Sequence, residues 1–164
     1  MTTASDTLAA FVAVLADTLD EPGTSAATLA ARLHLSRYHA DRIVASVAGE
    51  PPATLRRRIL LERAAYRLVT TRDTVLDIAV GAGYGSNEAF TRAFHRAFGV
   101  SPSSFRRRPG PIRLPSRSHI HFHPPAGIRL PAQRKVSAMD LLTRMVEHHV
   151  WLVGEMIERA AAEL

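Results

Sequence analysis

The fold class the sequence predicts is all-α. It comprises two helix-turn-helix units joined by a long connector helix, then a proline-rich linker and one C-terminal amphipathic helix. Three observations predict it. Ser36 and Ser86, fifty residues apart, each open an amphipathic run that a glycine closes, Gly49 and Gly99. Between those runs lies a helical pattern of roughly 20 residues that begins with two prolines. After Arg108, prolines at 109, 111, 115, 124, 125 and 131 forbid a continuous helix.

The elements follow in order. Leu8, Phe11, Val12, Leu15 and Leu19 recur every three or four residues, so residues 7–20 read as a helix capped by Asp6 or Thr7. Thr24 or Ser25 caps a short helix through Leu29, Ala30 and Leu33. The tight connection His34-Leu35-Ser36 then leads into a second helix, Arg37 to Val47, with Ser36 as its cap. Pro51 and Pro52 start the connector, which runs through Leu55, Ile59, Leu60, Ala64 and Leu68 to about Thr71. The plan then repeats. Asp73 or Thr74 caps a helix with Val75, Ile78 and Ala79, a glycine-rich turn spans Gly81 to Gly85, and Ser86 caps a helix with Phe90, Phe94 and Phe98 on one stripe. Pro102, Phe105 and Arg106 to Arg108 form a last short helix.

Composition narrows the function. The chain has 164 residues, a net charge of +6 and no cysteine, which excludes a disulfide scaffold, a thiolate metal site and a cysteine nucleophile and suits a reducing, cytoplasmic setting. The charge is unevenly placed: −4 over residues 1–23, +8 over 24–108, +5 over 109–135 and −3 over 136–164. Of the 21 basic residues only Lys135 is lysine. Arginine forks onto phosphate and guanine as lysine cannot, so the basic middle suggests a nucleic-acid partner. No apolar run approaches the ~18 residues of a membrane span, and Leu8 to Ala16 lacks the basic flank of a signal peptide. A connector of ~20 residues is about 30 Å long, close to the ~34 Å turn of B-DNA. It could hold two recognition helices in successive major-groove segments.

Residues 6–108 resemble the DNA-binding domain of the AraC/XylS family of bacterial transcription regulators. The resemblance is carried by Asp77-Ile78-Ala79-Val80-Gly81-Ala82-Gly83-Tyr84, Phe90-Thr91-Arg92-Ala93-Phe94, Phe98-Gly99-Val100-Ser101-Pro102 and Phe105-Arg106. In the first unit it is carried by Leu29-Ala30, Ser36-Arg37, Arg42, Gly49, Pro52 and Leu61-Glu62-Arg63-Ala64. The first unit also departs from the pattern. Ala40 and Val44 replace larger apolar residues, Leu55 an aromatic, Arg56 an apolar residue and Leu60 an arginine. Smaller core residues imply a looser first unit, so the second is expected to supply more affinity.

The resemblance implies a sequence-specific regulator that binds double-stranded DNA, with no catalytic residues and no cofactor. By position, Tyr38, Asp41 and Arg42 of the first recognition helix and Asn87, Glu88, Thr91 and Arg92 of the second are expected to read bases. Arg42 and Arg92 suit guanine or a phosphate clamp, Asn87 suits adenine, and Asp41 and Glu88 can accept from the cytosine amino group. Ser36, Arg37, His39, Ser86, His95 and Arg96 are expected at phosphates. Arg56, Arg57 and Arg58 are candidates for the backbone between the grooves. Phe90, Phe94 and Phe98 read as core.

The remaining third is expected to be a linker over 109–136 and an amphipathic helix over 137–164, with Leu142, Val146, His149, Val153 and Ala160 on one stripe. Met145 to Leu152 resembles the opening helix of DinB-like four-helix bundles. The bundle's later histidines do not follow, so the expectation is an abbreviated sensor without a working metal site. An interaction module that pairs copies of the chain through this stripe is the alternative. His119, His121 and His123 alternate and would share one face of an extended strand, a weak zinc or nickel pattern. No metal is assigned there.

Overall fold

The computed structural model describes residues 3–21, 23–125 and 127–130. The described residues fall in one compact unit, 1–131. The expected helix over 137–164 lies outside the described residues. Seven helices and one small hairpin are described: α1 (Ala4–Asp17), α2 (Ala26–Arg32), α3 (Arg37–Ala48), α4 (Pro52–Thr70), α5 (Val75–Gly81), α6 (Asn87–Phe98), α7 (Pro102–Arg107), β1 (His121–His123) and β2 (Gly127–Arg129).

Local chemistry fixes most boundaries. Ser25, Ser36, Ser86 and Ser101 each accept the backbone N–H three residues on, and Thr74 forms a reciprocal capping box with Asp77. Gly49 and Gly99 close α3 and α6 in left-handed conformations, with φ of 71° and 75°. Pro52 occupies the first turn of α4, where no N–H is needed. The first helix starts earlier than the expected residue 7. Thr3 caps it through a box with Asp6, which places Asp6 and Thr7 inside the first turn.

Helices α1, α2 and α3 pack together as the first unit, and α5, α6 and α7 form the second; α4 touches α3, α5 and α7. The first core buries Phe11, Leu15, Leu29, Val44 and Leu55. The second is an aromatic chain. Phe94 sits 5.5 Å from Phe90, 4.4 Å from Phe98 and 5.4 Å from Phe105, ring centre to ring centre. Arg63 of α4 bridges the two units. Its guanidinium donates to Asp20 Oδ1 at 2.7 Å and to Gly81 O at 2.8 Å. Arg106 adds a second clasp, donating to Leu68 O and Asp73 O at 3.0 and 2.6 Å.

The stretch after Arg108 departs from the expected linker. Residues 109–130 fold back onto the body. β1 packs on α4 and β2 on α1, and the strands pair antiparallel with Phe122 opposite Ile128. Ile120 and Phe122 are fully buried, and Ile112, Leu114, Ile128 and Leu130 pack against the same core. Proline density forbids helix but not burial. Ile120 and Phe122 alternate with histidines as a half-buried strand requires.

A buried carboxylate anchors this strap. Glu62 of α4 has no exposed surface. It accepts from Leu114 N at 2.9 Å, Phe122 N at 2.8 Å and Arg58 Nη1 at 3.2 Å, and its Oε1 lies 2.9 Å from His121 Nδ1. Such a group is tolerated only when its charge is matched and its lone pairs are filled. Arg58 supplies the charge and also binds Glu50 at 2.6 Å and Ile120 O at 2.8 Å. Arg58 is therefore committed to the core, unlike the DNA-facing role considered for it with Arg56 and Arg57. Of the three histidines only His121 and His123 share a face of β1. His119 lies outside β1 with a φ of 53°, His121 meets Glu62, and His123 pairs with Pro124 O.

Candidate nucleic-acid interface

Helices α3 and α6 present the residues singled out from sequence. On α3 the core takes Ala40, Val44 and Ala48. That leaves Tyr38, Asp41 and Arg42, spaced three and four apart, on another stripe. Tyr38 is 76% exposed, the largest exposure among the large apolar and aromatic side chains of the described residues. Arg42 is exposed and Asp41 half-buried. On α6 the core takes Phe90, Ala93 and Phe94. Asn87, Glu88 and Arg92 are exposed beside half-buried Thr91.

The expected phosphate residues surround these stripes. Ser36 Oγ accepts from His39 N at 3.3 Å and Ser86 Oγ from Ala89 N at 3.1 Å, so both hydroxyls act as caps. Arg37, His95 and Arg96 are exposed, and His39 is half-buried. The structure brings the thirteen candidates together as two sets, one at each recognition helix.

Electrostatics differs between the sets. Arg37 Nε lies 3.7 Å from Asp41 Oδ2, a loose exposed pair that partly occupies both groups. Arg42 and Arg92 form no ion pair among the described residues. Glu88 sits in the first turn of α6. Its own backbone N–H, the Ser86 hydroxyl and the nearby Arg92 charge hold its carboxyl below the usual carboxylate range. It remains a charged acceptor under neutral conditions.

The comparisons extend this geometry. A helix-turn-helix domain model matches residues 29–108. The HTH-type transcriptional regulator Rv1931c of Mycobacterium tuberculosis (strain ATCC 25618 / H37Rv) is 38% identical over 79 residues, covering 48% of this chain and 30% of the relative. An AraC-type DNA-binding domain-containing regulator from Chromobacterium violaceum shares the fold, with a TM-score of 0.58 and 23% identity over 65% of this chain and 96% of the other. The DNA-binding domain of AdpA, described as the global transcriptional factor in complex with a target DNA, is 31% identical. It superimposes with a TM-score of 0.57 over 63% of this chain and 97% of that domain. Residues 29–108 of this chain are a helix-turn-helix domain. The chain spans 30% of the length of the mycobacterial relative.

Within this helix-turn-helix domain the second turn is one residue longer than the first. Leu35 N and Tyr84 N make the same bond, to Ala30 O and Ala79 O at 3.0 Å each, but Gly85 has no counterpart before the serine cap. The left-handed position is His34 in the first turn, with φ 54°, and Gly83 in the second, with φ 80°. The departures at Leu55 and Leu60 are absorbed by burial. Arg56 is not absorbed in this way. Its Nε is buried without a hydrogen-bond partner, as is the Tyr84 hydroxyl. Sequence reading missed this pair because only the fold brings α4 and the second turn together.

Proposed function

We propose that the chain is a sequence-specific DNA-binding transcription regulator that inserts α3 and α6 into successive major-groove segments. One observation carries the reading: two units with matched serine and glycine caps, each presenting a polar stripe, are fixed to one 19-residue helix. That helix is about 28 Å long at ~1.5 Å per residue, near the ~34 Å repeat of B-DNA. The target-DNA complex of the similar AdpA domain supports the same partner.

On this reading Tyr38, Asp41 and Arg42 meet one half-site, and Asn87, Glu88, Thr91 and Arg92 the other. Arg42 and Arg92 fork onto guanine, Asn87 pairs with adenine, and Asp41 and Glu88 filter for cytosine. Arg37, His39, His95 and Arg96, with the caps Ser36 and Ser86, position the backbone. The role needs no catalytic group or cofactor, and it fits a cytoplasmic location.

Selection from random duplex DNA tests the reading. Two half-sites about one helical turn apart are expected, and affinity should fall steeply with salt as counterions are released. No enrichment at moderate salt would refute it.

The stripe of 137–164 supports a second role, self-association or a DinB-like sensor start. Sedimentation with and without these residues decides the first. Identical monomers would eliminate the dimer.

A further inference from the structure

A cleft of about 330 Å³ opens where the two units meet the connector. Thr24 and Ser25 of the first unit, Arg56 and Arg57 of α4, and Gly83 and Tyr84 of the second turn line it. Among the described residues no acid lines it, and neither arginine has an ion-pair partner. Arg56 reaches only the Glu21 carbonyl, at 3.4 Å. Two polar atoms of its wall residues, Arg56 Nε and Tyr84 OH, are buried without hydrogen-bond partners. Such atoms are uncommon in native proteins because each costs the full desolvation of a polar group.

We propose that this cleft is a phosphate-binding junction, and that a phosphate seated there ties both units to the connector. The chemistry is specific. A guanidinium fork and a phenol hydroxyl all donate, and anionic oxygens accept from them. Neutral or cationic ligands would leave the arginine charge unmatched. Burial holds the Arg56 guanidinium below its ordinary value, with the Arg63 charge adding to the effect, and an anion would relieve both. Burial also pushes the Tyr84 phenol up, against the charges of Arg57 and Arg96, so the phenol stays a proton donor.

Position favours a phosphate of bound DNA. Tyr84 lies two residues before the cap of α6, and the cleft joins that turn to the first unit. On the DNA-binding reading, a strand running from α3 to α6 would pass this turn. This part rests on the DNA-binding reading above. A free phosphorylated or carboxylated metabolite offers the same oxygens.

The experiment has two arms, both on the full chain. In the first, the free protein is titrated with inorganic phosphate at constant ionic strength while the amide signals of Ser25 and Gly83 are followed. Saturable shifts that Arg56→Gln abolishes identify a site open to free anions. In the second, a selected duplex is bound with natural phosphates and with neutral methylphosphonates between the half-sites. Arg56→Gln is expected to weaken binding about tenfold and to reduce the salt slope by about one. The methylphosphonate should weaken the parent protein similarly and the variant hardly at all. Tyr84→Phe, which keeps the ring against Phe90, should give a smaller loss in the same arm and guards against misfolding of the first variant. Shifts without an effect on DNA assign the site to a free ligand. Absence of both effects overturns the proposal while leaving the DNA-binding reading intact; failure of selection itself would refute that reading instead.

Discussion

In the first unit α3 turns Ala40, Val44 and Ala48 toward the core. At the equivalent positions of α6 stand Phe90, Phe94 and Phe98. The backbone plan is the same, but the source of core volume is not. The second unit fills itself: its rings come from α6, α7 and the turn between α5 and α6, all within 22 residues of one another. The first unit draws its volume from farther along the chain. Phe11 and Leu15 of α1, both fully buried, belong to its core, and α1 packs directly on α3. Small side chains on α3 therefore admit α1 at close range, and the looseness expected from them is offset from another helix. Two units of one architecture thus differ in how local their stability is.

The largest test of this contrast is Phe94→Ala. It should cost about 3–5 kcal/mol because the neighbouring rings cannot collapse into the space. Val44→Ala, at the equivalent position, should cost less than half as much. Denaturant unfolding of both variants measures the difference, and equal losses would dissolve the contrast.

Next comes Glu62→Ala, expected to cost about 3 kcal/mol, since it leaves the Leu114 and Phe122 amides without their acceptor and removes one of the two carboxylates on Arg58. Hydrogen exchange at the Leu114 and Phe122 amides should accelerate before exchange in α6 does. Uniform acceleration would mean that the strap is not a separate cooperative layer.

A third test concerns recognition. Arg92→Ala and Arg42→Ala should each lose about 1–3 kcal/mol of base discrimination. Arg92 is expected to cost more, because its helix rests on the self-contained aromatic core. Binding to a selected duplex gives the ranking, and a much larger loss at Arg42 would reverse it.

The smallest effect is expected at the turns. His34→Gly relieves a left-handed non-glycine residue and should stabilise by about 0.5 kcal/mol in thermal unfolding. Destabilisation would show that the His34 side chain makes a contribution larger than its backbone strain.

What could be read from sequence follows the same division. Ser36, Gly49, Ser86 and Gly99 act within four residues of themselves, and the stripes of α3 and α6 within one helix, so spacing alone revealed both serine-capped helices. The alternation at residues 119–123 was legible, but the packing of the strap was not, because its anchor Glu62 lies 52 and 60 residues from the amides it holds. Arg56, Arg57 and Arg58 look equivalent in sequence. Only partners at Glu50, Glu62 and residue 120 send Arg58 inward and leave its two neighbours at the cleft. The Arg56–Tyr84 junction joins residues 28 positions apart, which no local pattern encodes.

The Glu62 anchor also has a consequence for the order in which the chain is made. Its two backbone donors, Leu114 and Phe122, leave the ribosome 52 and 60 residues after the carboxylate itself. A nascent chain that has reached only Arg108 already carries both helix-turn-helix units, yet it holds Glu62 with Arg58 as its sole donor. The connector helix is thus completed from behind. A fragment that begins at residue 1 and ends at Arg108 should fold less stably than one carried through to residue 130.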